Sequence, residues 1–382
     1  MTTTPRAKLI FLVAEDWYFW SHRLPMARAA RAAGFDVAVA TRVAEHGERI
    51  RQEGFALHAL SWRREQLGPW ASLSAIIEIY RLYRHERPLI VHHVALKPAF
   101  LGGIAALLAR VPAVISMIAG TGYGGIDAGW RVKLIGASLR FVWPLLLLRR
   151  NCRVIVQNDE DRQAIAALRP AAAERIVVIR GSGVDLDYFR PLPEPPAPPI
   201  VIAYVGRMIA IKGVAVLVEA QRALRERGVD VRLMLAGKPD PSNPSSLDAS
   251  QLDAWAKLPG IAWCGHQEDV RAIWAASHIA VLASLGGEGL PKTLLEAAAI
   301  GRPIVATDVP GTRDIARAGV NALLAPPGEA TALAAAIEQL AGDAVLRRRF
   351  AEAGRRLVEA GYSDQAVETA TAALYRSLAE RR

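Results

Sequence analysis

Six of the ten residues 190–199 are proline. Proline lacks the backbone N–H and holds φ near −65°, so this stretch is neither helix nor inner strand. It reads as a stiff, extended linker. A break there leaves two halves of the 382-residue chain, each a suitable size for one hydrophobic core. Both halves have the same texture. Short, mostly apolar runs (8–14, 36–41, 89–93 and 113–118, then 200–205, 231–236, 279–283 and 302–307) alternate with helical segments. Strands that are apolar throughout, separated by helices, specify parallel sheets covered on both faces. The expected fold class is α/β, with two doubly wound Rossmann-like domains. The first domain is expected at 1–190, the linker at 191–199 and the second domain at 200–362. The terminal helix 363–382 is expected to pack back on the first domain.

Apolar residues at 52% and charged residues at 22% mark a globular chain. Only Cys152 and Cys264 are present, which argues against a disulfide framework and for a reducing cytoplasm. The first apolar run is short and ends in acid, so it reads as a buried strand rather than a signal peptide. No run approaches the roughly 18 apolar residues of a spanning helix. The formal charge of +10 suits an anionic partner: nucleic acid, anionic lipid or a phosphorylated substrate. No nucleic-acid-binding signature accompanies it, so nucleic acid is not expected.

The segment 284–301, S-L-G-G-E-G-L-P-K-T-L-L-E-A-A-A-I-G, joins a strand to a helix through a glycine-rich turn. It sets Glu288 in the turn and Glu296 about one helical turn in, at the carboxyl edge of a parallel sheet where ligands bind. Helix N-termini favour anions, yet this one carries acid, so the ligand is expected to offer both phosphates and hydroxyls. The second half opens with A-Y-V-G-R-M-I-A-I-K-G, in which Arg207 and Lys212 flank a strand–loop–helix turn and suit a diphosphate. Neither a Walker loop nor G-x-G-x-x-G after the first strand is present. In the first half His92-His93 and Lys97 close a strand, and four aromatics at 17–20 precede His22 and Arg23. Segment 130–150 is apolar and aromatic with a basic rim, which suits either a membrane-surface helix or a buried domain helix.

Gly-Arg…Lys-Gly after the first strand of a second domain, followed by E-G-L-P-K-T-L-L-E-A, resembles the family-4 retaining glycosyltransferases of GT-B architecture. So do V-I-R-G-S-G-V-D-L-D-Y-F-R-P at 178–191 and R-P-I-V-A-T-D-V-P-G-T-R-D at 302–314. The resemblance covers essentially the whole chain. It implies two Rossmann-like domains facing across a cleft, and a hexose or N-acetylhexosamine transferred from a UDP-sugar with retention. It also implies no metal and no cofactor, the UDP-sugar being the co-substrate. Arg207, Lys212 and Glu288 would be catalytic. Glu296 would bind ribose, with Gly289, Leu290, Thr293, Leu294 and Leu295 seating sugar and phosphate, and Gly265 and His266 near the base. The wording V-H-H-V-A-L-K-P and G-x-G-Y is similar to that of relatives acting on polyprenyl-diphosphate-linked sugars in surface polysaccharide assembly. His93 and Lys97, at the end of their strand, are the expected acceptor-phosphate residues, a buried or capping histidine being the alternative, and Gly120 and Arg23 are expected beside them on the acceptor side. The resemblance implies a cytoplasmic protein, peripheral on the inner face of a bacterial plasma membrane. Many relatives carry a Gly-Gly loop after strand one and a later His-Gly; this chain has neither, so no catalytic base is assigned. A UDP-sugar 2-epimerase and a non-catalytic sugar-nucleotide or lipid-binding subunit stay open as alternatives.

Overall fold

A computed structural model describes residues 6–62, 68–118, 151–168, 170–286 and 288–380. They divide into two units, one of 6–118, 151–183 and 364–380, the other of 184–363. In the first unit seven strands form a parallel sheet: β1 Lys8–Glu15, β2 Asp36–Arg42, β3 Ala56–Ala59, β4 Ile90–Val94, β5 Ala113–Met117, β6 Cys152–Val156 and β7 Ile176–Val178. Their order is β3-β2-β1-β4-β5-β6-β7. Residues 9–13 of β1 are at most 1% exposed, as a central strand with both faces covered requires. Alternation sends Phe11 and Val13 into one core layer and Ile10 and Leu12 into the other.

The second unit repeats the design with six parallel strands: β8 Ile200–Val205, β9 Val231–Ala236, β10 Ile261–Gly265, β11 Ile279–Leu282, β12 Ile304–Thr307 and β13 Ala322–Ala325. The order β10-β9-β8-β11-β12-β13 is that of a doubly wound sheet. Two parallel-sheet α/β units are what the apolar runs led us to expect.

The proline stretch does not join the units. The chain passes between them at 183/184 and again at 363/364, where Val184 and Ser363 pair side by side. Residues 191–194 pack instead on the second unit. The amide of Leu192 donates to the Ile300 carbonyl at 3.0 Å, and the Arg302 guanidinium donates to the carbonyls of Leu192 and Pro193. Extended proline-rich backbone leaves its carbonyls free to accept, and a buried arginine satisfies them. The aromatic segment after β1 is helical: Asp16–His22 is a helix, anchored where the Asp16 carboxylate accepts from the amides of Ala44 and His46.

The histidine pair is interior. Period-2 alternation on β4 sends the two rings into opposite core layers, and neither has any exposure. His92 shares a hydrogen bond with the Tyr375 hydroxyl at 2.7 Å, on the terminal helix Asp364–Glu380 of this unit. His93 Nε2 lies 3.0 Å from the Tyr83 hydroxyl, over the close-packed Gly102. Burial pushes His92 well below its usual range and brings His93 down to about 3. A histidine held neutral in the core is not a phosphate ligand, so the acceptor-side role expected for His93 is corrected. The depressed values have a stability consequence. The unfolded chain takes up protons near 6.5 that the folded chain refuses, so the contribution is complete above pH 6.5. It is lost as pH falls from there towards about 3. The urea midpoint is expected to drop across this window. His93→Gln, which retains a partner for Tyr83, is expected to flatten the slope; an unchanged pH profile would show that His93 titrates normally in the fold.

Candidate active site

In the second sheet β8 and β11 are neighbours, and the strand order runs outward from them in both directions. Loops leaving their carboxyl ends therefore part, opening a crevice at the topological switch point. The loop after β8 carries Arg207 and Lys212 and leads into helix Val214–Glu226; the loop after β11 carries Glu288 and leads into helix Lys292–Ile300. Two close backbone approaches fix the β11 loop, one to the β8 loop and one to the loop after β12. Gly213, at φ +68°, lies so near β11 that a Cβ there would fall 1.9 Å from the Ala283 carbonyl oxygen. Gly311, at φ +78°, would put a Cβ 1.5 Å from the Gly289 oxygen. Only glycine meets both the left-handed conformation and the contact. The Leu285 amide completes the junction by donating to the Ile211 carbonyl at 2.8 Å.

The charged groups converge inside this frame. Lys212 Nζ donates to Glu288 Oε1 at 2.5 Å, and the Ser284 hydroxyl donates to the same oxygen. Glu288 is only 7% exposed, so its charge requires such partners. Ser284 is itself positioned by its carbonyl, which accepts from the Thr307 hydroxyl of β12. Arg207 Nη1 donates to Asp240 Oδ2 at 2.7 Å. Beneath them the Tyr204 hydroxyl donates to the Arg207 carbonyl at 2.8 Å. Burial, reinforced by the Glu288 charge, pushes that hydroxyl far above its usual range, so it remains a donor.

Helix Lys292–Ile300 begins after Pro291 and presents its positive end to the same edge. Thr293 Oγ1 is buried there without a hydrogen-bond partner among the described residues. Glu296 is half-buried one turn in. The side chains of Leu290, Leu294 and Leu295 are buried, which leaves only their backbone to meet a ligand, beside Gly289. Gly265 accepts from the Gly237 amide at 2.7 Å at the end of β10, and His266 beyond it is exposed. Arg207, Lys212, Glu288, Thr293 and Glu296 thus share one sheet edge. Among the described residues no group of three or more His, Cys, Asp and Glu side chains is arranged to hold a metal ion. Sequence reading missed Asp240 and Tyr204. The signal for Asp240 was its place after β9, next to β8 in the sheet.

The other expected acceptor-side residues are dispersed. Arg23 is fully buried, its Nη2 donating to the Tyr18 hydroxyl at 3.0 Å. Lys97 stands at the start of helix Leu96–Leu108, its Nζ over the Trp62 ring. Gly120 and the segment 130–150 lie outside the described residues. No helix among the described residues is long and apolar enough to cross a membrane.

Comparison with known proteins gives concordant results. Residues 8–137 match the model "Glycosyl transferase 4-like", and residues 199–343 match "Glycosyl transferases group 1". The capsular polysaccharide biosynthesis glycosyltransferase CapM of Staphylococcus aureus is 24% identical over 340 residues, 85% of this chain and 86% of CapM. The N,N'-diacetylbacillosaminyl-diphospho-undecaprenol alpha-1,3-N-acetylgalactosaminyltransferase of Campylobacter jejuni is 24% identical over 355 residues, 90% of this chain and 91% of that one. Among solved structures, Anabaena Alr3699/HepE in complex with UDP-glucose shares the fold, with a TM-score of 0.74 over 98% of this chain and 99% of that chain at 16% identity. With a glycosyl transferase 4-like first half and a group 1 second half, the chain belongs to the family-4 type glycosyltransferases of GT-B architecture.

Proposed function

We propose that this glycosyltransferase takes a hexose or N-acetylhexosamine from a UDP-sugar and transfers it, with retention, to a polyprenyl-diphosphate-linked sugar in surface polysaccharide or glycan assembly. The observation that carries the donor half is the meeting of Arg207, Lys212 and Glu288 at the switch point of the second sheet. Each cation has a carboxylate partner before a donor arrives, and the more buried pair, Lys212 with Glu288, is the more firmly placed. In this reading Arg207 and Lys212 face the diphosphate, Glu288 meets the transferred sugar, and Glu296 accepts from the ribose hydroxyls. The unpartnered Thr293 hydroxyl and the helix N-terminus beside it suit a phosphate oxygen. UDP-glucose in the HepE structure and the undecaprenol-linked substrate in the name of the Campylobacter relative support the donor and acceptor classes.

The reaction breaks the bond from the sugar C1 to the diphosphate oxygen. It forms a bond from C1 to the acceptor oxygen on the same face, and the acceptor proton passes to the departing diphosphate. Arg207 and Lys212 stabilise the charge that develops on that leaving group, so no metal is required in this scheme. Lys97, Gly120 and Arg23 remain acceptor-side proposals. Segment 130–150 is the proposed membrane contact of a cytoplasmic, peripherally bound protein.

Acceptor-dependent UDP release from a panel of UDP-sugars, with lipid extract as acceptor, tests the reading. Conversion of UDP-sugar without acceptor would instead indicate an epimerase, and tight UDP binding without turnover a binding subunit. Arg207→Ala and Lys212→Ala are each expected to lower kcat/KM by about 100-fold, roughly 3 kcal/mol of transition-state stabilisation. Full activity in both would remove them from the site. Glu296→Gln is expected to raise the donor KM by about tenfold with kcat nearly unchanged, as loss of ground-state ribose binding predicts. Proton NMR of the product reads the anomeric configuration, and an inverted linkage would refute retention.

A further inference from the structure

The amino edge of the second sheet, opposite the donor residues, carries a pocket of about 480 Å³. Its walls are the proline stretch, the residues that precede β11 and β12, and the helix Ala344–Gly361. Five arginines line it, Arg302, Arg347, Arg348, Arg355 and Arg356, against two glutamates, Glu194 and Glu352. His278, also on the wall, is held below its usual range, chiefly by burial, and does not add to the charge at neutral pH.

The charge is poorly balanced where it is most deeply buried. Arg302 is 2% exposed and Arg347 5%. Every hydrogen bond of the Arg302 guanidinium goes to a neutral carbonyl: Trp274, Leu192, Gly301 and Pro193. Arg347 gives its Nε to Glu194 and its Nη1 to the carbonyls of Leu340 and Ala341. Of the two buried cations only Arg347 is bonded to a carboxylate, an expensive arrangement without a further anion. Donors also remain. Nη2 of Arg347 and Nη2 of Arg355 make no hydrogen bond among the described residues. Arg348 is exposed, and no described side chain pairs with it. Arg356 pairs only with Glu352 at 3.7 Å, with both side chains largely in solvent. On a helix, residues seven apart return to nearly the same face, so Arg348 and Arg355 form one row along the wall, with Arg347 and Arg356 to either side of it. Pro191, Pro193 and Pro303 give the pocket an apolar floor. Arginine forks over an apolar floor are the chemistry that grips a phosphate.

We propose that this pocket is a second anion site, separate from the donor edge, that takes the phosphate of a phosphomonoester or diphosphate ligand. Inorganic pyrophosphate measured by titration calorimetry is the probe for a soluble ligand. Sedimentation with phosphatidylcholine vesicles, with and without phosphatidic acid, is the probe for a lipid phosphate. Arg348→Gln/Arg356→Gln, which alters only exposed side chains, is compared with Arg207→Ala/Lys212→Ala, which removes the donor cations. Wild-type protein is expected to show two pyrophosphate events. Arg348→Gln/Arg356→Gln is expected to weaken one of them by about tenfold or more and to leave transferase activity unchanged. Loss of the same event in Arg207→Ala/Lys212→Ala, with Arg348→Gln/Arg356→Gln behaving as wild type for both pyrophosphate and vesicles, overturns the proposal. If only vesicle binding falls in Arg348→Gln/Arg356→Gln, the site takes a lipid phosphate. If Arg207→Ala/Lys212→Ala retains both events while Arg348→Gln/Arg356→Gln loses one, the pocket stands and the donor assignment fails.

Discussion

The reversal of strand order between β8 and β11 is the constraint on which the candidate active site rests. Every connection in a parallel sheet crosses over one face, and at that one junction successive crossovers turn to opposite sides. The loops that leave there have no neighbour to cover them, so the carboxyl edge opens between them. Backbone contact holds the β11 loop on both sides, with Gly213 of the β8 loop against Ala283 and Gly311, after β12, against Gly289. These contacts leave no room for a side chain, and they set Glu288 within reach of Lys212.

Electrostatics then decide which charges stay fixed. Glu288 is nearly enclosed and is held by Lys212 and Ser284, while Arg207 is more exposed and leans on Asp240. A buried ion pair with additional hydrogen bonds is rigid, whereas a half-exposed one exchanges partners cheaply. The two cations therefore differ in freedom: Lys212 is the fixed charge and Arg207 the adjustable one. At the opposite edge of the same sheet the balance is different, because carbonyls rather than carboxylates satisfy the buried guanidinium of Arg302.

Much of this was legible in the sequence. Mostly apolar runs announced parallel strands, because only a strand covered on both faces has no polar side to show. The start of helix Lys292–Ile300 after Pro291 was legible because proline is pre-set for a first helical turn. Arg207, Lys212, Glu288 and Glu296 could be gathered at one edge from strand order alone. The proline stretch was misread. Its stiffness is local, but whether it spans solvent or lies on a surface depends on Arg302, more than a hundred residues away. His92 and His93 misled for a related reason: a histidine at the end of an apolar strand reads alike whether it faces a ligand or a core, and only the tyrosines packed against the rings distinguish the cases.

Sequence by itself determined the fold class, the two-unit organisation and which charged residues lie at the carboxyl edge of the second sheet, since these follow from period, length and motif. Tertiary structure alone decided how those charges are paired, which histidines are silenced and where five arginines converge. Those outcomes depend on burial and on partners brought from distant segments, and pair distances in a low-dielectric interior set their sign and size.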